Sequence, residues 1–215
     1  MGGWLARRCS WGFKPAWSKA PVTNAQFETL SQKPTFKDAF VSRRCLVPAD
    51  GFYEWTTFCA KRQPIRHTLV GEPLFFFAGL WSVKEPPGHF VIITVAANQV
   101  VREVHERMPL IVAPDDYDSW LGSGESYKAI LPTTQELRTC WVNQRINNVR
   151  NEDEESGRPL TGTVKNALGG YVLPAGLPEG ATVKIVRFST GYFDVEFDQK
   201  RFEVPIACMD HEGRW

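Results

Sequence analysis

Cysteine, histidine and methionine are scarce here, at 5, 4 and 3 of 215 residues. Cys9, Cys45, Cys59, Cys140 and Cys208 form no CxxC pair and are odd in number. That argues against a disulfide framework and points to a reduced, cytoplasmic setting with mostly structural thiols. The histidines are scattered too, so no metal site and no cofactor is expected. Long apolar runs are missing: stretches such as residues 73–81 fall well short of the roughly 20 residues of a membrane-spanning helix. The first residues lack the apolar segment of a secretory leader. A Met-Gly start is one element of a myristoylation signal, but Ala6 stands where that signal has Ser or Thr. Repeats and low-complexity tracts are absent as well. What these absences leave is an ordinary globular chain, long enough for one large domain or one domain with a small appendage.

Aromatic residues are plentiful, at 13% with 8 Trp. They serve either as core or as the walls of clefts and stacking surfaces. The net charge of +1 hides an asymmetry: residues 1–150 hold 18 Lys and Arg against 13 Asp and Glu, whereas residues 151–215 hold 7 against 11. A basic larger part is compatible with a nucleic-acid backbone.

Residues 44–47, 65–70, 74–81 and 90–96 read as strands, the last two apolar on both faces and therefore central in a sheet or barrel. Asn98 is placed to cap a turn leading toward His105. Residues 114–121 read as a short helix with acidic residues near its start, closed by Gly122. The Thr133, Thr134 and Glu136 pattern resembles another helix start. A polar break at residues 152–159 marks the expected boundary, with one domain over 1–160 and a C-terminal extension over 161–215. In that extension, residues 182–186 and 192–197 alternate with period two around Ser189, Thr190 and Gly191, and residues 202–206 add a third strand: a small β-meander.

Glu54 is the residue most in need of an explanation. It lies inside Pro48-Ala49-Asp50-Gly51-Phe52-Tyr53-Glu54-Trp55, where apolar surroundings favour the neutral carboxyl and raise its pKa. Such a group is a solvated strand residue, is held by a specific partner, or works as an acid or base. A histidine such as His105, taken alone, is more often structural than catalytic. Arg107 alone is a surface ion-pair partner of Glu103 or Glu106. Asn24 alone is a turn residue or helix cap.

In order, the motifs say more. Trp11-Gly12-Phe13-Lys14-Pro15-Ala16-Trp17, Asn24-Ala25-Gln26-Phe27-Glu28-Thr29, Lys33-Pro34-Thr35-Phe36, Arg43-Arg44-Cys45-Leu46-Val47-Pro48 running into the Glu54 segment, Ala78-Gly79-Leu80-Trp81 and His105-Glu106-Arg107-Met108-Pro109 together resemble the SRAP family. This is the SOS-response-associated peptidase family, which processes abasic sites in single-stranded DNA. The resemblance covers about residues 10–151, ending at Asn147-Asn148-Val149-Arg150-Asn151. It implies an α+β fold that is mostly β and barrel-like, with few short helices and a basic DNA cleft.

The resemblance also implies roles. In the family an N-terminal Cys, exposed by Met removal, condenses through amine and thiol with the ring-opened aldehyde of an abasic site, giving a thiazolidine crosslink. Glu54 would shuttle protons to the sugar oxygen and the amine, His105 would assist ring opening, and Asn24 would hydrogen-bond near the nucleophile or sugar. Arg107, with Arg43 or Arg44, would hold phosphates. Trp17 and Pro15 would stack on or wedge between bases. Gln26 stands where the family usually has Arg, so one phosphate or active-site contact would be weaker or supplied differently.

Gly2 stands where the family has its cysteine, and the Trp11 motif arrives early. The expectation is that the family's N-terminal segment, with its Met-Cys-Gly-Arg start, precedes this sequence. Two other readings stay open: a non-covalent single-stranded DNA-binding module that has lost crosslinking, and a protein-interaction module with a vestigial cleft.

Overall fold

A computed structural model describes residues 5–58, 60–82, 88–122, 136–148, 150–151, 157–165, 173–189, 192–205 and 209–211. The chain divides into two compact units, one of residues 1–50 and 69–136, the other of residues 51–68 and 137–215.

The first unit is organised by two strands rich in β-branched and aromatic residues, β6 (Phe75–Ser82) and β7 (His89–Ala96). Phe75, Phe77, Ala78 and Leu80 of β6 and Val91, Ile92, Ile93 and Val95 of β7 are all buried, as expected of central strands covered on both faces. They pair antiparallel, and β3 (Arg44–Ala49) pairs antiparallel with β6 on its far side. Four short strands complete a seven-stranded mixed sheet. β1 (Ser10–Trp11) and β2 (Asn24–Gln26) run parallel to β7, β8 (Arg107–Pro109) runs antiparallel to it, and β9 (Ile111–Val112) pairs with β6. Gly79 lets β3 approach β6 closely: a Cβ there would lie 2.9 Å from Val47 Cγ2 and 3.0 Å from Cys45 Sγ.

Helix α1 (Pro34–Ser42) covers this sheet and was not foreseen from the sequence. Pro34 at its first turn is preorganised for helix, and Phe36, Ala39 and Phe40 supply a short buried stripe. Asn98 caps α2 (Gln99–Arg102) by accepting from the Val101 N–H at 3.0 Å, and α3 (Tyr117–Leu121) stops at Gly122, both as expected.

The second unit holds a three-stranded sheet in the order β10 (Leu137–Trp141), β5 (Lys61–Leu69), β4 (Phe52–Phe58). It also holds a five-stranded antiparallel sheet. The expected meander forms one side of it: β12 (Thr182–Ser189), β13 (Tyr192–Phe197) and β14 (Lys200–Pro205) pair in sequence, with β14 at the edge. Asp198 and Gln199 both take positive φ, 48° and 61°, which matches the right-handed strand twist in a two-residue hairpin. β11 (Thr161–Val164) and β15 (Met209–His211) widen this sheet to five strands. Phe58, Trp141 and Phe193 meet as a tilted and edge-on aromatic cluster in the core of the unit.

The fold is therefore α+β and mostly β, with few short helices. Among the described residues its sheets stay open rather than closing into a barrel. Thr133 and Thr134, where a helix start was expected, lie outside the described residues, and Leu137 opens β10 instead. Most of the expected boundary at 152–159 lies outside them too. No helix among the described residues is long and apolar enough to cross a membrane.

Candidate functional site

Strand register places three of the candidate residues of the first unit, Asn24, Gln26 and Arg107, on one sheet face. In β2, Ala25 is buried while Asn24 and Gln26 are exposed, so the two amides share the outward side, as period-two alternation requires. Asn24 lies opposite Ile92 and Gln26 opposite Thr94 on β7, and across the other edge Ala96 lies opposite Arg107 of β8. Trp11 lies opposite Phe90, and their rings stack with centroids 6.3 Å apart. Asn24 is thus a strand residue, not a turn residue or cap.

Beside that face opens a groove of about 400 Å³. Trp17, Asn24 and Gln26 line it together with Lys33, Thr35 and Phe36. A short hairpin-like loop positions Trp17: Phe13 and Val22 exchange backbone hydrogen bonds at its base, and the Ser18 N–H closes a turn onto the Pro15 carbonyl at 3.0 Å. Gly12 starts the loop at φ 105°, a conformation side chains rarely adopt. Trp17 is 71% exposed, and its indole N–H donates to Thr35 Oγ1 at 3.2 Å. The anchored edge fixes the indole while much of its surface stays open to solvent. Apolar walls, two outward amides and a lysine suit an unpaired base with its phosphate. Sequence alone does not mark Lys33, Thr35 and Phe36 as groove residues: Pro34 suits a helix start there, but no local signal brings that first turn against β2.

His105 is exposed at the turn before β8, its N–H bonded to the Val101 carbonyl at 2.9 Å. Its ring Nδ1 lies 3.0 Å from the Arg107 N–H and 2.9 Å from the Arg107 carbonyl oxygen. When Nδ1 is unprotonated it accepts from the first, and when protonated it donates to the second. Either way Nδ1 is committed to the backbone and Nε2 is the nitrogen left to face a reactant.

Arg107 itself is a partner of Glu28. Its Nη1 and Nη2 donate to Glu28 Oε1 and Oε2 at 2.8 and 2.9 Å, and Nη2 also donates to the Thr94 carbonyl at 2.5 Å. The hydrogen bond from Arg107 holds the Glu28 carboxyl below its usual range, against an opposing push from burial.

Arg44 is a structural arginine. It is 8% exposed, and its guanidinium donates to the carbonyls of Phe40 and Val41 at the end of α1 and of Trp120 and Gly122 at the end of α3. Four helix-terminal carbonyls that lack intrahelical partners are satisfied by one side chain, so its charge does not face solvent. Arg43 is half-buried and contacts Ser42 Oγ at 3.4 Å. Burial pushes the Cys45 thiol up to about 12 and the Cys140 thiol upward. Neither is a nucleophile at neutral pH, in line with structural thiols.

Glu54 belongs to the second unit. It sits at the centre of β4, half-buried, opposite Ile65 of β5 and on the same side as buried Phe52 and Phe58. Its neighbour Trp55 points to the other face, where Arg62 lies 4.9 Å over the ring and the indole N–H donates to Asn147 Oδ1 at 2.7 Å.

The sequence matches the family model described as SOS response associated peptidase (SRAP) over residues 3–149. It is 34% identical over 162 residues to the abasic site processing protein YoaM of Bacillus subtilis, covering 67% of this chain and 71% of that one. It is 40% identical over 122 residues to the abasic site processing protein YoqW of the same organism, covering 52% of this chain and 54% of YoqW, so that it spans only about half of the latter. A solved structure of a protein from Bacteroides thetaiotaomicron superposes with a TM-score of 0.58 at 24% identity, over 69% of this chain and 74% of that one. At that identity the likeness is one of fold.

Proposed function

The chain belongs to the SOS response associated peptidase (SRAP) family, and from that premise we propose that it processes abasic sites in single-stranded DNA. The observation that carries this reading is the groove in which Trp17, Asn24, Gln26 and Lys33 converge. It offers an aromatic surface for a base, amides for a sugar or base edge, and an ammonium for a phosphate.

The chemistry we propose is condensation with the ring-opened sugar. The α-amine of an N-terminal cysteine adds to the C1′ aldehyde and water leaves, giving an imine. The thiol then adds to the imine carbon and its proton passes to the nitrogen, closing a thiazolidine. Ring opening moves a proton to the sugar ring oxygen, and imine formation moves protons at the amine; Glu54 and the outward Nε2 of His105 take these transfers. Asn24 orients the sugar, Arg107 and Arg43 hold phosphates, and Trp17 with Pro15 stacks on bases. The same N-terminal cysteine, with Glu54 and His105, accounts for removal of the initiator Met, which frees the amine; this is the peptidase part of the reading. Gln26 lacks the charge its family counterpart usually carries, and Lys33 in the same groove supplies one.

Anisotropy measurements with single-stranded oligonucleotides, with and without an abasic site, test the binding half. We expect salt-dependent binding that Trp17→Ala and Lys33→Ala weaken. Affinity insensitive to salt and to both substitutions would leave the groove without this role.

A further inference from the structure

We infer that Glu28 is a positioning residue: its carboxylate clamps Arg107 across β7 and thereby holds the His105 ring and the Asn24 strand in one arrangement. The inference rests on the proposed function for its kinetic consequence, but its geometry stands apart from it.

Strands β2 and β8 flank β7, β2 pairing with its residues 92–94 and β8 with its residues 94–96. Neither strand exceeds three residues, so little ladder hydrogen bonding fixes either end. Glu28 lies just past the end of β2, and Arg107 opens β8. The Arg107 guanidinium crosses β7 at Thr94, donating to the Thr94 carbonyl, and ends on both oxygens of Glu28. The clamp therefore ties together the two short strands on either side of β7. Bidentate pairing fixes orientation as well as distance; the Arg107 side chain is 24% exposed and that of Glu28 53%, so the clamp acts through its geometry more than through the strength of an ion pair open to water.

The clamp reaches His105 through the Arg107 backbone. Arg107 presents both its N–H and its carbonyl to His105 Nδ1, and so its position sets the direction of Nε2. On the other side the clamp holds the strand that carries Asn24. Arg107 thus has two separable parts: a backbone that orients a histidine and a guanidinium whose paired edge is occupied by Glu28. Glu28 orients other groups without touching a reactant itself, and such a group governs rate more than affinity.

The test uses the full chain with ¹⁵N-labelled histidine, wild type against Glu28→Gln, Glu28→Asp and Arg107→Lys. In the wild type, the His105 ring nitrogens should report an Nδ1 held by hydrogen bonding. Glu28→Gln and Arg107→Lys should move both shifts toward those of a free imidazole, while Glu28→Asp keeps most of the wild-type pattern. Single-turnover reaction with an abasic oligonucleotide should slow by roughly 10- to 100-fold in Glu28→Gln with its Kd no weaker. His105 shifts unchanged in Glu28→Gln would overturn the inference, as would a slower rate explained entirely by lost melting temperature or weaker DNA binding. If the wild type fails to act on abasic DNA, the proposed function falls, and the histidine spectra still decide the role of Glu28. If Glu28→Gln does not fold, Arg107→Lys and Glu28→Asp carry the same comparison.

Discussion

Arg107 gives both ends of its guanidinium to the two oxygens of Glu28, at 2.8 and 2.9 Å, although 79 residues separate them. Glu103 and Glu106, the near neighbours that local sequence offers as partners, are not where the fork ends. The pair lies on the sheet face that also carries Asn24 and Gln26, and it gives that face a neutralised arginine rather than an open cation.

Electrostatics at this pair sets the first expectation. Arg107→Ala should weaken DNA binding and lower the slope of log K against log salt, by at most about 1 and by less to the extent that Glu28 already neutralises the charge. Anisotropy titrations from low to high salt measure the slope, and an unchanged slope would show that Arg107 contacts no phosphate.

Trp17→Ala should cost about 1–3 kcal/mol in single-stranded DNA affinity, the usual worth of one base stack. Its indole is 71% exposed, so thermal stability should barely change. A melting temperature that falls with the affinity would instead make Trp17 a structural anchor of its loop.

Gly12→Ala should destabilise the first unit. The new Cβ would lie 2.6 Å from Pro21 Cβ at a φ of 105°, which combines overpacking with backbone strain and should cost about 1–3 kcal/mol. Denaturant unfolding measures it, and the Trp17 loop should lose DNA affinity with it.

His67 makes stability depend on pH. It is fully buried, stacked on Phe52 with centroids 4.8 Å apart, and neither ring nitrogen has a hydrogen-bond partner among the described residues. Burial lowers its pKa from 6.5 to about 4, so the folded protein holds it neutral. Between those values the unfolded chain binds the extra proton, so the stabilisation is complete above about pH 6.5 and is lost as pH falls toward about 4. The loss amounts to about 3 kcal/mol. Urea midpoints measured from pH 7.5 to 4.5 should fall in the wild type and fall less in His67→Leu. Equal pH dependence in both would refute the assignment.

What sequence revealed and what it concealed divide along one line. Local signals were readable: two-sided apolar runs became β6 and β7, Asn98 became a cap, Gly122 ended α3, and period-two alternation became the C-terminal meander. Ordered motifs carried the family. Non-local partners were not readable. Arg44 looked like any surface arginine until the fold brought the carbonyls of Trp120 and Gly122 to it from 76 and 78 residues away. Helix α1 was hidden because three buried residues, Phe36, Ala39 and Phe40, are a short stripe with Val41 exposed beside it. With α1 unseen, Lys33, Thr35 and Phe36 could not be placed in a groove with Asn24.

The measurement that tests the account most directly is a denaturing gel of the full gene product incubated with a single-stranded abasic oligonucleotide. The account predicts a slow-migrating protein–DNA band. That band should be absent with a tetrahydrofuran analogue, which has no aldehyde, and should form about 10²–10⁴-fold more slowly in Glu54→Gln, the usual worth of one positioned proton-transfer group. Full-length protein that binds the abasic oligonucleotide and yields no band would contradict the covalent mechanism and leave non-covalent binding as the function.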